Sequence, residues 1–134
     1  MLDKTATIEK FLDAAAAKQP TPGGGSVSAL AGALAASMGE MVLNYSVGKK
    51  GLEAQQEKLK AGLAEFTRAR GMMLELMVED QAAFDELSGA RKSQDAKKIA
   101  AAVTICVNVP LTMAATSAGP TTPPPPGCRS PATT

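Results

Sequence analysis

The chain has 134 residues, enough for one domain, and is 45% apolar but only 3% aromatic, so its core is built from Ala, Leu, Val and Met. Its 14 basic and 13 acidic residues leave a net charge of +1. No basic stripe or interleaved aromatic pattern marks a nucleic-acid surface. Histidine is absent, which excludes His-based triads, His-rich zinc sites and the commonest general base. Cys106 and Cys128 do not form a CxxC pair, so neither a metal site nor a structural disulfide is indicated, and a reducing cytoplasm is the expected location. Met1 to Thr5 lacks the apolar core of a signal peptide.

Four helices are predicted, with no strand alternation to compete, which makes the fold class all-α, a bundle of long helices. The first spans about Thr7 to Ala17, with Ile8, Phe11, Leu12 and Ala15 at helical spacing. It leads into Pro20-Thr21-Pro22-Gly23-Gly24-Gly25-Ser26. Two prolines bar helix before this turn and three glycines leave its backbone bare, while Ser26 is suited to cap the helix that follows. The exposed N–H groups at such a helix start suit an anion; a tight chain reversal is the equally weighted alternative.

The second helix is expected from about Ser26 to Val47, stopped by Gly48. It carries a single charge, Glu40, and is long enough to span a membrane. Its serines, Asn44 and few large aliphatics argue instead for a central helix buried in a soluble bundle or dimer. Ser28, Gly32 and Ala36, and beside them Ala29, Ala33 and Ser37, form small-residue lines that let another helix come close. Asn44 suits either a substrate or another helix. Lys49 and Lys50 suit the helix dipole or an anionic ligand. Glu40 is expected to be paired or at a subunit boundary.

The third helix is predicted from about Leu52 to Leu87, before a break at Ser88-Gly89. It carries a seven-residue ladder of Leu52, Leu59, Phe66, Met73, Asp80 and Leu87. Asp80 is the one polar rung, and Leu76, Met77, Ala83 and Phe84 are its neighbours one turn away. A carboxylate on that seam is suited to move a proton near neutral pH; a buried ion pair or polar register pin is the alternative. Arg70 lies too far along the helix to be its direct partner. The fourth helix starts near Ser93 or Asp95 and runs towards Met113, with Pro110 expected to kink or end it. Residues 1–118 thus form the helical domain. From Gly119 the chain changes character, holding six of its nine prolines, and residues 119–134 are expected to be a disordered or extended tail.

Phe11-Leu12-Asp13, the PTPGGGS segment, Ala29 to Leu34, Gly48-Lys49-Lys50, Asp80-Gln81-Ala82-Ala83-Phe84 and Val109-Pro110-Leu111 together resemble the cyclodeaminase/cyclohydrolase family over about Thr7 to Ala115. The resemblance implies a helical, dimer-forming enzyme of one-carbon tetrahydrofolate metabolism with no metal or redox cofactor. Its members hydrolyse 5,10-methenyltetrahydrofolate to 10-formyltetrahydrofolate, or close formiminotetrahydrofolate with loss of ammonia. It implies that Asp80 is the proton shuttle, and that Thr21, Gly23, Gly24, Gly25 and Ser26 meet the folate together with Asn44. Lys49 and Lys50 would neutralise its glutamate tail. Two departures stand out: Asn108 replaces an acidic residue often seen two places before the proline, and the Pro/Thr tail stands where the family's further helices continue. A truncated, catalytically silent helical dimer acting as an interaction module is the competing reading.

Overall fold

A computed structural model describes residues 2–118. It contains α1 (Ile8–Ala16), α2 (Gly24–Ser46), a 3-10 turn (Glu53–Gln55), α3 (Gln56–Ser93) and α4 (Ala96–Ala118). All four predicted helices are present, and no strand occurs among the described residues. The predicted tail at 119–134 lies outside them.

Helix ends follow local chemistry. Thr7 caps α1, its hydroxyl accepting from the Lys10 amide at 3.2 Å. Gly48, at φ +77°, takes the left-handed position just past α2. The Asp95 carboxylate accepts from the amides of Lys97 and Lys98, at 3.0 and 3.3 Å, at the start of α4.

The expected break in α3 is corrected, and at Pro110 one of the two expected outcomes is excluded. Ser88-Gly89 does not interrupt α3, which runs on to Ser93 and stops where Gln94 turns left-handed at φ 54°. One glycine in a long helix costs only about 1 kcal/mol relative to alanine, which flanking turns absorb. Pro110, expected to kink or end the fourth helix, sits inside α4 without ending it. The ring removes one hydrogen bond, to the carbonyl one turn back, and the packing of Val109 and Met113 in the core holds the rest of the helix in place.

The central helix is α3, not α2. It packs against α2 along one side and α4 along another, whereas α2 and α4 barely meet. The core gathers Phe11 from α1, Ala29 and Ala33 from α2, Met73, Leu76, Met77 and Ala83 from α3, and Val109 and Met113 from α4. A smaller cluster of Leu87, Ala90 and Ala102 continues it along α3 and α4. In this chain α2 buries only its small-residue face, Ser26, Ala29, Ala33 and Ala36. Its other side exposes Leu34, Met38, Met41, Val42 and Tyr45, and α4 exposes Val103, Val107 and Leu111. Both α2 and α4 are long and apolar enough to cross a membrane by length and composition.

The α2–α3 contact has a repeat that places the site. Glycines at 25, 32 and 39 on α2 face Asp80, Met73 and Phe66 on the antiparallel α3, one heptad apart on both helices. A Cβ on Gly32 would lie 3.1 Å from Met73 Sδ, and one on Gly39 would lie 2.7 Å from the Phe66 ring. At the far end the roles reverse, with Leu43 of α2 over Gly62 of α3. Asp80, Met73 and Phe66 of α3 are thus seated on bare backbone, which brings the helix axes close.

A polar clamp fixes the N-terminal segment to the same spine. Gln81 is fully buried. Its amide oxygen accepts from the Leu2 N–H at 3.0 Å, and its Nε2 donates to the Leu2 carbonyl at 3.0 Å. Nε2 also lies 3.2 Å from the Met77 carbonyl, so the side chain's burial is fully compensated.

Candidate active site

The start of α2 and the middle of α3 meet at Asp80. Gly23 is the N-cap position of α2 and has no side chain to satisfy the first turn. A carboxylate from another helix does so instead. Asp80 Oδ2 accepts from the Ser26 backbone N–H at 2.8 Å and from the Ser26 hydroxyl at 2.9 Å. Ser26, expected to cap α2, therefore lies inside its first turn and turns its hydroxyl across to α3, because the helix starts two residues earlier, at Gly24. The Ser26 amide at the Gly-rich helix start is thus taken by the protein's own carboxyl group.

Gly25 makes this approach possible. A Cβ there would overlap the Asp80 carboxylate, lying 2.7 Å from Oδ2 and nearer still to the other carboxylate atoms. Asp80 is half-buried, with Leu76, Met77 and Ala83 buried around it, while Glu79 and Asp85 are exposed. Both donors reach Oδ2. Oδ1 has no hydrogen-bond partner among the described residues, which frees it to exchange a proton with a bound molecule.

The carboxylate faces a cavity of about 340 Å³ lined by Pro20, Thr21, Gly23, Gly24, Gly25, Asp80, Ala83, Phe84, Leu87 and Cys106. The cavity brings together Thr21, the three glycines and Asp80, with Ser26 behind them as the holder of Asp80. Five further residues line it that were not among the expected site residues: Pro20, Ala83, Phe84, Leu87 and Cys106. Phe84 and Leu87 follow Asp80 at i+4 and i+7, a spacing that the sequence held in plain sight. Pro20 comes from the turn itself. Cys106 arrives from α4, a long-range contact without a local signal; its thiol donates to the Ala83 carbonyl at 3.1 Å. Burial pushes that thiol up from its usual range, and the nearby Asp80 charge adds to the shift. A second cavity of about 450 Å³, between the start of α2 and the Pro110–Ser117 stretch of α4, shares Gly24 and Gly25 with the first.

Three expected site residues are not brought to Asp80 within this chain. Asn44 lies about 27 Å of helix rise along α2 from Ser26. It lines a shallow groove with Ser37, Glu40, Met41, Tyr45 and Arg70. Lys49 and Lys50 are exposed beyond that same distant end. Glu40 is paired: Arg70 Nε donates to its Oε1 at 2.5 Å, and the Thr67 hydroxyl donates to its Oε2 at 3.1 Å. The Arg70 bond, chiefly, holds the Glu40 carboxyl below the usual carboxylate range.

Fold and site together define an all-α domain in which one carboxylate is lodged on a glycine-rich helix start and faces a cavity. Comparisons with known proteins give the family. Residues 7–119 match the family described as Formiminotransferase-cyclodeaminase, and the chain belongs to this family. It is 36% identical over 114 residues to a methenyltetrahydrofolate cyclohydrolase from Methylorubrum extorquens, a match covering 78% of this chain and 55% of that protein. The crystal structure of formiminotetrahydrofolate cyclodeaminase from Thermotoga maritima superposes with a TM-score of 0.81 at 28% identity, covering 84% of this chain and 57% of the other. The chain spans little more than half the length of these relatives.

Proposed function

We propose that the protein acts in one-carbon folate chemistry, as a hydrolase of the methenyl bridge of 5,10-methenyltetrahydrofolate. The observation that carries this reading is the Asp80 carboxylate, fixed through one oxygen by Ser26 and open through the other to a cavity. The similarity to a cyclohydrolase supports the choice of reaction.

In the reaction, water adds to the cationic carbon between N5 and N10. Asp80 Oδ1 accepts a proton from that water as the C–O bond forms. Its negative charge also favours the cationic bridge in the cavity. The tetrahedral adduct then breaks its bond to N5. That nitrogen takes the proton back, the hydroxyl loses its own to solvent, and 10-formyltetrahydrofolate results with net release of one proton. Ser26 keeps Oδ2 engaged throughout, so the carboxylate does not rotate away from the reacting carbon.

The structural likeness to a cyclodeaminase favours one second reading. There N10 attacks the carbon of the protonated formimino group, and Asp80 passes the N10 proton to its nitrogen, which departs as ammonia and leaves the methenyl cation. We propose a soluble, cytoplasmic protein, and a homodimer in which the exposed apolar faces of α2 and α4 are covered by a second copy. Purified protein supplied separately with 5,10-methenyl- and formiminotetrahydrofolate tests the reaction. Loss of methenyl absorbance without ammonia supports hydrolysis. Ammonia release from the formimino substrate supports cyclodeamination. A folded protein that turns over neither contradicts both, and leaves the scaffold as an interaction module.

A further inference from the structure

If Lys49 and Lys50 stand far from Asp80, the anionic end of a folate needs another partner. One lies along α3. Asp80, Phe84, Leu87 and Arg91 follow one another at i, i+4, i+7 and i+11, a single stripe on one helix face. Phe84 and Leu87 line the Asp80 cavity. They also line a neighbouring cavity of about 300 Å³, which continues over Ser88 to Arg91 and Lys92. The two cavities thus form one groove with a carboxylate at one end, an aromatic ring and a leucine in the middle, and two cations at the other. Asp80 to Arg91 is three turns of helix, about 16 Å of rise.

We infer that this groove binds the folate lengthwise, with Arg91 and Lys92 holding the carboxylates of its glutamate tail; the inference rests on the folate reading above. The charges match end to end. The methenyl bridge is cationic and lies at Asp80, the p-aminobenzoyl ring is apolar and lies against Phe84 and Leu87, and the glutamate is anionic and lies at the cations. A substrate placed the other way round would set its carboxylates against Asp80. Arg91 and Lys92 are exposed and form no ion pair among the described residues. Arg91's charge reaches into the Asp80 cavity, where it opposes the upward shift of the Cys106 thiol.

The test uses two unreactive probes, pteroylglutamate and pteroate, which differ only by the glutamate. Their dissociation constants are measured by titration calorimetry with the whole chain. Wild type is expected to bind pteroylglutamate about tenfold tighter. Arg91→Gln/Lys92→Gln is expected to bring the ratio to about one, as is raising the salt, since the pair is exposed. Lys58→Gln/Lys60→Gln, at the opposite end of α3, is expected to keep the wild-type ratio. A preference that survives in the Arg91/Lys92 variant overturns the inference, and so does a wild type that binds both probes alike or neither. A wild type that prefers pteroylglutamate through Arg91 and Lys92 yet turns over no folate upholds the tail site and overturns only the proposed reaction.

Discussion

Gly25 and Ser26 place Asp80: the first leaves room for its carboxylate and the second donates to it. The overlap that a Cβ on Gly25 would make with the carboxylate means Gly25→Ala displaces Asp80. We expect kcat to fall by about 10²-fold, as for a reacting group moved by an ångström. Ser26→Ala removes one of two donors to Oδ2. It should lower kcat about tenfold with KM unchanged; an equivalent rise in KM alone would make Ser26 a substrate ligand instead. Cys106 gives an independent probe of the same cavity. Because burial, and secondarily Asp80, raise its pKa, iodoacetamide at pH 8 should modify it at least about tenfold more slowly in the folded Cys128→Ser protein than in urea, with Asp80→Asn giving a modest acceleration. A thiol equally reactive in both states would contradict the burial. Asp80 was legible in the sequence as the polar rung of an apolar ladder. Its bond to Ser26 was not, because a serine after glycines reads locally as a cap, and only the approach of α3 shows where the hydroxyl points.

At the scale of elements, the heptad pairing of Gly25, Gly32 and Gly39 with Asp80, Met73 and Phe66 sets the α2–α3 distance. The ladder on α3 is visible in the sequence, and so are small-residue lines on α2. The glycine heptad is equally visible but gains meaning only once the two helices are known to be antiparallel and in this register. Gly39→Ala forces the Phe66 ring aside and should destabilise the fold by about 1–2 kcal/mol, even after the better helix propensity of alanine is counted. Gly71 and Gly89, inside α3, have nothing within 4 Å of an added Cβ. Gly71→Ala and Gly89→Ala should therefore stabilise by up to about 1 kcal/mol. Urea denaturation checks both signs, and stabilisation by Gly39→Ala would contradict the close-approach account. The continuity of α3 through Gly89 was not legible locally, and at Pro110 a kink and an end were both open, for one reason. Breaker residues cost a fixed local amount, while long packed helices recover more than that along their length.

For the whole molecule, α3 is the spine on which α2, α4 and the N-terminal segment are hung, and Glu40–Arg70 is the ion pair that ties α2 to it. Composition and periodicity made the all-α class legible; the choice of α3 over α2 as the central helix was not, since α2's apolar character is spread around its circumference rather than turned inward. Arg70 lowers the pKa of Glu40, so the unfolded state binds the proton more readily, and the pair's contribution is present above the ordinary carboxylate range and lost as pH falls below it. Between pH 5 and about 3 the melting temperature of wild type should therefore fall more steeply than that of Glu40→Gln; parallel curves would remove the pair from the stability of the fold. The same spine carries the carboxylate on which the functional account depends. The most direct measurement follows the absorbance of 5,10-methenyltetrahydrofolate with wild type beside Asp80→Asn, both shown to be folded. Wild type should hydrolyse the substrate and the variant should lose at least about 10²-fold in rate; a variant that keeps the full wild-type rate would contradict the role given to Asp80.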